Sequence, residues 1–311
     1  DFEVAGVHAG VCDCSLPRYT LSDGFVDELI RQSEALALEL CVVGLMNVQF
    51  AIKDGDVYLI EVNPRASRTV PFVAKATDSA IASIAARLMA GEKLSAFPMA
   101  PAHEPAGDDV AIPIGDPMML KDFRTPWFSV KEAVLPFARF PGVDTLLGPE
   151  MRSTGEVMGW DRSFARAFLK AQLGAGTVLP DAGTVFFSIK DVDKTDQLLD
   201  TARMLNALGL TILATRGTAK FLTENGISSD IVNKAYEGGR TIVDVMKDGE
   251  IALVMKTNEG AQAVEDRRYM RSVALMDRIP YFTTAAAAHA AALAMTSRAD
   301  GDLAVRSLQG A

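Results

Sequence analysis

A carboxylate, an amide and two arginines follow one another closely after residue 60. Glu61 and Asn63 stand two residues apart at the end of an apolar strand, so their side chains are expected on one face. Oxygen ligands of this kind suit Mg²⁺, which proteins hold with one or two carboxylates and substrate phosphates. Arg65 and Arg68 come directly afterwards and could grip phosphate or carboxylate oxygens with their forked guanidinium groups. The pattern predicts a phosphate-handling site, and a strand that merely ends in a polar turn is the structural alternative.

The strand that carries this pattern is expected to pair with the segment before it. Residues 45–52 and 57–63 both alternate between apolar and polar side chains, and residues 54–56 read Asp-Gly-Asp between them. Alternation on both sides of such a turn predicts an antiparallel hairpin. A helix is predicted earlier, over residues 20–40, with Ser22 in the N-cap position.

The register of the hairpin follows from which side chains must share a face. A three-residue loop over residues 54–56 would place Gln49 opposite Glu61, and the same register pairs Asn47 with Asn63. A two-residue turn would mix polar and apolar side chains on both faces, so we predict the three-residue loop. The other face would then hold the apolar side chains, Met46, Val48, Phe50, Ile52, Tyr58, Ile60 and Val62.

The second half of the chain predicts a different architecture. Strands alternate with helices from about residue 177, which favours a parallel sheet covered on both faces. Ligands bind such sheets at the carboxyl ends of the strands. The run Thr215-Arg216-Gly217-Thr218 stands at one of these ends, and its hydroxyls and backbone N–H groups could hold an anion. An ordinary strand-to-helix turn capped by Thr218 is the alternative.

Composition excludes several classes of protein. With 311 residues, 49% hydrophobic and 23% charged, the chain is an ordinary globular protein of about two domains. A net charge of −9 argues against broad binding to nucleic acids or anionic membranes. No apolar run is long enough to span a membrane. The three cysteines suit a reducing cytoplasm better than a disulfide framework, so a cytoplasmic location is expected.

Domain boundaries are marked by proline and glycine. Residues 98–126 hold six of the fourteen prolines and predict a loop or insertion. Residues 174–176 read Gly-Ala-Gly and predict a linker, which gives domains 1–175 and 177–311. The chain starts with Asp1 rather than methionine, so we expect a fragment or a processed form of a larger protein.

Several motifs together resemble the large subunit of carbamoyl phosphate synthase. They are Gly44–Phe50, Leu59–Thr69, Phe140–Asp144 and Gly148–Met158. The resemblance implies an α/β protein, in which the C-terminal subdomain of the second ATP-grasp unit (α+β) precedes a Rossmann-like, parallel-sheet, methylglyoxal-synthase-like regulatory domain. It also implies an ATP-dependent carbon–nitrogen ligase that phosphorylates carbamate to carbamoyl phosphate for arginine and pyrimidine biosynthesis. The implied partner is a glutaminase small subunit that supplies ammonia.

The resemblance also implies roles for residues of the ATP-grasp part. Residues implied to contact ATP are Gly6, Val7, His8, Ala9, Gln49 and Glu61. Those implied to bind Mg²⁺ or Mn²⁺ are Gln49, Glu61 and Asn63. Arg65 and Arg68 are implied to hold the transferred phosphate or the carbamate. A buried structural histidine is the alternative for His8.

For the regulatory part, the resemblance implies a nucleotide effector such as UMP or IMP. The matching positions are Lys194, Thr215, Thr218, Lys234 and Thr257. Some relatives bind an activator, ornithine, at positions that match Glu3, Glu132, Tyr281 and Thr283. Val11 stands where those relatives have an acidic residue, and Lys256 stands where an asparagine is usual. Both departures bear on which effector the chain would bind.

Two other functions stay open at this point. One is a different ATP-grasp ligase or carboxylase, against which the 148–158 motif and the appended parallel domain argue. The other is a regulatory module that binds nucleotide effectors without catalysis. A polypeptide of these residues alone is expected to show little or no carbamoyl phosphate synthesis.

Overall fold

The computed structural model describes residues 13–99, 112–113, 127–134, 155–234, 237–257, 270, 273–274 and 277–307. The chain divides into two compact units. Residues 15–129 and 304–311 form one, here called the hairpin unit, and residues 1–14 and 130–303 form the other, the parallel-sheet unit. The predicted positions Glu3 and Gly6–Ala9 lie outside the described residues.

The hairpin unit combines helices with antiparallel strand pairs. Strand β1 (Cys14–Leu16) is followed by helix α1 (Asp23–Glu39), strands β2 (Asn47–Lys53) and β3 (Asp56–Asn63), and helices α2 (Thr69–Ala76) and α3 (Ile81–Met89). The predicted helix and hairpin strands are confirmed within three residues at each end. Ser22 occupies the N-cap position of α1, but its side chain makes no capping hydrogen bond. Helices α2 and α3 were not predicted.

The core of the hairpin unit is small. Its buried apolar side chains among the described residues are Ile30, Phe72, Ala76, Ala85, Phe97 and Trp127. Two short strands, β4 (Pro98–Met99) and β5 (Ile112–Pro113), pair antiparallel inside the segment predicted as a loop. Most other residues of that segment lie outside the described part of the chain.

A five-stranded parallel sheet forms the centre of the other unit. Its strands are β8 (Thr184–Ile189), β9 (Thr211–Ala214), β10 (Asp230–Ile231), β11 (Ile251–Thr257) and β12 (Tyr281–Phe282). They lie in the order β10-β9-β8-β11-β12, and all neighbouring pairs are parallel. The central strands β8 and β11 are almost wholly buried, as expected for strands covered on both faces. The predicted parallel sheet is confirmed.

Helices cover this sheet and pack closely against one another. They are α4 (Phe164–Gly174), α5 (Asp196–Ala207), α6 (Arg216–Glu224), α7 (Ile242–Lys247) and α8 (Ala285–Thr296). Helix α8 is alanine-rich and packs against both α4 and α5. Six alanines of α8 are buried. Their small side chains let the neighbouring helices approach closely. His289 of α8 meets Thr201 of α5, with 3.0 Å between Nδ1 and Oγ1.

Strands β6 (Phe128–Val134) and β7 (Gly155–Asp161) are neighbours in a second sheet. Strand β7 lies so close to α4 that a Cβ added at Gly159 would be 1.9 Å from the carbonyl oxygen of Ala167. The glycines within residues 142–159 predict a segment rich in turns, but residues 155–161 form the strand β7. Gly159 serves close packing of α4 on that strand.

Candidate functional site

The hairpin turns through two residues, not the three that were predicted. Lys53 pairs with Asp56, so only Asp54 and Gly55 lie in the turn. Both have positive φ, 53° and 89°, which is the arrangement that a two-residue type I′ turn needs. The local turn preference therefore prevails over the register that the side-chain pattern favoured, and the three-residue loop is wrong.

The predicted pairing of the polar residues is nevertheless confirmed, because a β-bulge corrects the register. Phe50 pairs with Leu59, but the next residue of β2, Gln49, pairs with Glu61. Ile60 is thus an extra residue in β3 with no partner of its own. Beyond the bulge Asn47 pairs with Asn63, as predicted.

The predicted apolar face is correct only beyond the bulge, where Val48 pairs with Val62. Nearer the turn, Phe50 pairs with Leu59 and Ile52 with Val57, so Tyr58 and Ile60 do not pair as predicted. Ile60 is 58% exposed. The apolar side chains of β3 therefore lie largely outside the core of this unit.

The polar residues next to the bulge form a row of oxygen ligands. Directly paired residues in an antiparallel ladder put their side chains on one face, so Gln49 and Glu61 point the same way. Asn63 joins them, because its Nδ2 donates a hydrogen bond of 2.9 Å to Oε1 of Glu61. That bond fixes the amide and leaves Oδ1 of Asn63 and Oε2 of Glu61 open to a ligand. The predicted shared face of Gln49, Glu61 and Asn63 is therefore confirmed, and their role as metal ligands stays a prediction.

These donors fit a hard divalent cation whose remaining coordination positions are filled by water or by phosphate oxygens. One carboxylate and two amide oxygens are fewer than the six ligands that Mg²⁺ requires. Within the part of the chain that the structure describes, no group of three or more His, Cys, Asp or Glu side chains could hold a metal. The donor set thus suits a metal–nucleotide complex better than a free ion.

The two predicted arginines lie just past the row of ligands. The backbone N–H of Arg65 donates to the carbonyl of Asn63 at 2.8 Å, which bends the chain at the strand end. Arg68 is the N-cap residue of α2, whose Phe72 anchors that helix in the core. Both arginine side chains are exposed, and both follow the ligand row by only a few residues. Their guanidinium groups therefore bring positive charge close to the carboxylate of Glu61 in the sequence.

A cavity of about 670 Å³ lies at the other end of the hairpin. Its lining comes from the first turns of α1 and from the hairpin turn, including Phe25, Glu28 and Tyr58. None of the predicted site residues lines it. Glu28 is held by Arg31 and Gln32, whose hydrogen bonds lower the pKa of its carboxyl to about 2.

A second cluster gathers where the order of the parallel sheet reverses. From β8 the chain adds β9 and β10 on one side, then returns to place β11 on the other side of β8. The carboxyl ends of β8 and β11 therefore border a crevice of the kind where open α/β sheets bind ligands. Thr257 ends β11, and Thr215 directly follows β9 at the same edge.

Three buried threonines hold these strand ends together. The N–H of Ile189 donates to Oγ1 of Thr218 at 3.0 Å, and Oγ1 of Thr215 donates to the same oxygen at 3.3 Å. The N–H of Lys190 donates to Oγ1 of Thr257 at 3.2 Å. Thr215, rather than Thr218, occupies the N-cap position of α6. The hydroxyls are therefore part of a preformed backbone framework.

Lys194 brings a positive charge to the start of α6. A Cβ added at Gly217 would lie 3.5 Å from its Nζ, which places the ammonium group beside the first turn of that helix. A helix N-terminus is itself positive, so a cation there is unfavourable unless an anion joins them. Asp191 supplies one carboxylate at 2.6 Å, and the hydrogen bond from Lys194 lowers the pKa of Asp191. Lys234 stands apart, after β10, where its N–H donates to Glu237 at 2.9 Å.

The predicted ornithine position Glu132 belongs to a buried polar cluster. It accepts a hydrogen bond of 2.6 Å from Nε2 of Gln172. Asp13, which the sequence reasoning missed, bonds to the Glu132 carboxyl and accepts from the N–H of Ala133 at 3.1 Å. Burial raises the pKa of Asp13 to about 6, although Ala133, Glu132 and the nearby Lys131 lower it in part. Tyr281 lies on β12 and Thr283 just beyond it.

Known proteins match both parts of the chain. Residues 7–97 match the family model described as carbamoyl-phosphate synthase L chain, ATP binding domain, and residues 197–283 match the MGS-like domain. The chain is 52% identical over 307 residues to the carbamoyl phosphate synthase large chains of Brucella suis and Rhizobium meliloti, and 51% identical over 302 residues to that of Pasteurella multocida. These alignments cover 97–99% of the chain.

The chain is homologous to the C-terminal part of carbamoyl phosphate synthase large chains. It spans about a quarter of the length of those relatives, 25–26%. The recognition made from the sequence motifs is confirmed, and so is the order of an ATP-binding region before an MGS-like region. Among the described residues, no helix is long and apolar enough to cross a membrane.

Proposed function

We propose that this chain supplies the metal and phosphate ligands with which a carbamoyl phosphate synthase large chain phosphorylates carbamate. The observation that carries the proposal is the pairing of Gln49 with Glu61, with Asn63 bonded to the same carboxylate at 2.9 Å. The proposed product is carbamoyl phosphate. The family match makes this reaction the natural one for such a site.

The residues act by position and charge rather than by proton transfer. Gln49, Glu61 and Asn63 would hold Mg²⁺ or Mn²⁺ together with the phosphates of ATP. Such a metal, when bound, neutralises the charge that develops on the transferred phosphoryl group. Arg65 and Arg68 would orient the anionic acceptor, which is already a nucleophile and needs no general base. The nucleotide contacts proposed for Gly6, Val7, His8 and Ala9 complete this half-site.

The regulatory part is proposed to bind a nucleoside monophosphate such as UMP or IMP. Its site comprises Lys194, Thr215, Thr218, Lys234 and Thr257. Four of the five lie around the crevice where the sheet order reverses, and the positive end of α6 faces the same place. The ornithine site proposed at Glu3, Glu132, Tyr281 and Thr283 is a separate proposal.

The whole protein's activity requires more than these 311 residues. The relatives are about four times as long, so we expect the isolated chain to synthesise little or no carbamoyl phosphate. In the complete synthase, a small chain with glutaminase activity would supply ammonia. The domain division at residues 1–175 and 177–311 also stays a proposal.

The first experiment replaces Glu61 by Gln in the large chain that contains this sequence. Synthesis from ATP, bicarbonate and ammonia should fall about 100-fold or more, because the metal loses its charged ligand. Asp56→Asn is the matched control, since it removes a carboxylate at the far end of the same hairpin. Equal rates for Glu61→Gln and the control would contradict the proposal.

The second experiment measures binding of Mg-ATP and of UMP or IMP separately to the 311-residue chain. Binding of a nucleoside monophosphate supports the regulatory half of the proposal. Loss of synthesis in the Glu61→Gln enzyme, with effector binding unchanged, would exclude a purely regulatory module. Turnover of a different carboxylate substrate would favour another ATP-grasp ligase.

A further inference from the structure

The proposed effector site is divided between two segments of the parallel-sheet unit. Lys194 and the three threonines surround the crevice beside the first turn of α6. Lys234 lies on another segment, which follows the edge strand β10. A ligand that needs both lysines requires a link that holds this second segment at a fixed distance from the crevice.

Arg216 makes such a link. It is the first residue of α6, it is exposed, and it belongs to the Thr215–Thr218 run, yet it is absent from the residues assigned to the effector. One NH2 group of Arg216 donates a hydrogen bond of 3.0 Å to Oδ1 of Asn233. Asn233 directly precedes Lys234, so the bond ties the start of α6 to the segment that carries this lysine.

Asn233 is well suited to transmit this link, because its other polar groups fix its own segment. Its carbonyl accepts from the N–H of Ile242 at 2.9 Å, and its Nδ2 donates to the carbonyl of Gly238 at 2.9 Å. It also forms a parallel bridge with Thr241. A change in the position of its side-chain oxygen would therefore move the whole hydrogen-bonded segment around Asn233, and not its side chain alone.

The charge of Arg216 is also unusual for its position. A cation in the first turn of a helix opposes the helix dipole, and Lys194, which is paired with Asp191 at 2.6 Å, lies beside the same turn. Among the described residues the contact of Arg216 is the neutral amide of Asn233, not a carboxylate. An anion at the crevice would offset the mutual repulsion of these positive groups.

We infer that Arg216 is a positioning residue of the effector site, which holds Lys234 in place through Asn233. This inference rests on the proposed binding of a nucleoside monophosphate. Arg216 adds its own charge to the field at the crevice, and its bond to Asn233 sets the separation between Lys234 and Lys194. Effector affinity should then depend on Arg216 and Lys234 jointly rather than separately.

The test is a double-mutant cycle on the 311-residue chain, with UMP and IMP titrated by isothermal calorimetry. Arg216→Ala and Lys234→Ala should each weaken binding about tenfold, because each removes a charge-assisted contact or its support. The double variant should be at most about threefold weaker than either single variant, because the two residues act together. Asn233→Ala should reproduce the loss although that amide need not touch the nucleotide.

Lys220→Ala is the matched control, because it removes a positive charge from an exposed position on the same helix. It should change affinity less than about twofold. Thermal melts of every variant separate lost binding from lost folding. Additive losses in the cycle, or unchanged affinity for Asn233→Ala in a folded chain, would overturn the positioning role. If the unaltered chain bound neither nucleotide, the proposed effector function itself would fail.

Discussion

The two candidate phosphate sites of this chain are built in opposite ways. The ligand row of the hairpin unit lies on two paired strands, with an exposed Glu61 and with Ile60 58% exposed beside it. The crevice of the parallel-sheet unit is framed by Thr218, Thr215 and Thr257, which are at most 5% exposed. The hydroxyls of Thr218 and Thr257 accept from backbone N–H groups at the end of β8, and the hydroxyl of Thr215 donates to that of Thr218.

The difference shows two ways to prepare a site for an anion. The buried framework is rigid before any ligand arrives, because its hydroxyls and backbone groups hold one another. The hairpin instead presents Glu61 to water, so its charge is solvated in the absence of the proposed metal and nucleotide. Changes to packing should therefore damage the crevice of the parallel-sheet unit most. Changes to single charges should damage the ligand row of the hairpin unit most.

The largest expected effect is a loss of stability when close packing in the parallel-sheet unit is disturbed. Gly159→Ala would place a methyl group 1.9 Å from the Ala167 carbonyl and 2.4 Å from the Ala171 nitrogen, both backbone atoms. We expect the free energy of unfolding to fall by about 3 kcal/mol or more in thermal or urea denaturation. Gly174→Ala is the control, because its new methyl would meet Val157 at 3.4 Å. Equal stability of the two variants would contradict the close packing.

The buried carboxyl of Asp13 should make this unit sensitive to pH. Its pKa is raised from 3.8 in the unfolded chain to about 6, mainly by burial. The folded state then binds the extra proton, so its contribution to stability is present below about pH 4 and is lost as pH rises through about 6. A shift of this size corresponds to about 2–3 kcal/mol.

Asp13→Asn should remove that part of the pH dependence while keeping an acceptor for the N–H of Ala133. Urea denaturation at several pH values between 4 and 7 measures it. A folded Asp13→Asn variant whose stability changes with pH as steeply as that of the unaltered chain would contradict the role of Asp13.

A smaller effect is expected from the threonine framework. Thr218→Val removes the acceptor of the Ile189 N–H, and leaving such a buried donor without a partner costs about 1–3 kcal/mol. Thr218→Ser keeps the hydroxyl and should restore most of the stability. Chemical denaturation of both variants checks this. If Thr218→Val were as stable as Thr218→Ser, the framework would not depend on this hydroxyl.

The smallest effect concerns the hairpin turn. Gly55 has a φ of 89°, so Gly55→Ala should destabilise the hairpin by about 1 kcal/mol. Hydrogen exchange at the backbone amides of β2 and β3 would detect the local loss. Gly24→Ala is the control, because it has open space around its new methyl and lies within a helix. Faster exchange in both variants alike would argue against the turn geometry.

Sequence reasoning could predict what depends on local patterns and on family motifs. The parallel sheet and the opposition of Gln49 to Glu61 were both predicted. The bulge was not, because pattern counting assumes that both strands advance one residue at a time. The turn preference and the polar pairing were each correct, and the assumption of a regular ladder made them seem incompatible.

Long-range contacts account for the other omissions. The roles of Asp13 and Arg216 depend on Glu132 and Asn233, partners that lie 119 and 17 residues away in the chain. The sequence around Gly159 does not show whether this glycine forms a turn or allows close packing. Helix α2 directly follows the arginines, but the proline at position 71 weakened its helical pattern.

The bulge at residue 60 has a consequence for how this hairpin tolerates insertions and deletions. Removing Ile60 would leave a continuous ladder in which Gln49 still meets the glutamate, whereas shortening the turn by one residue would displace every pair beyond it. A homologue with one more turn residue and no bulge would have as many residues between the paired glutamine and glutamate, and it would present the same polar row. The two sequences would align without a gap although their turns and ladders differ.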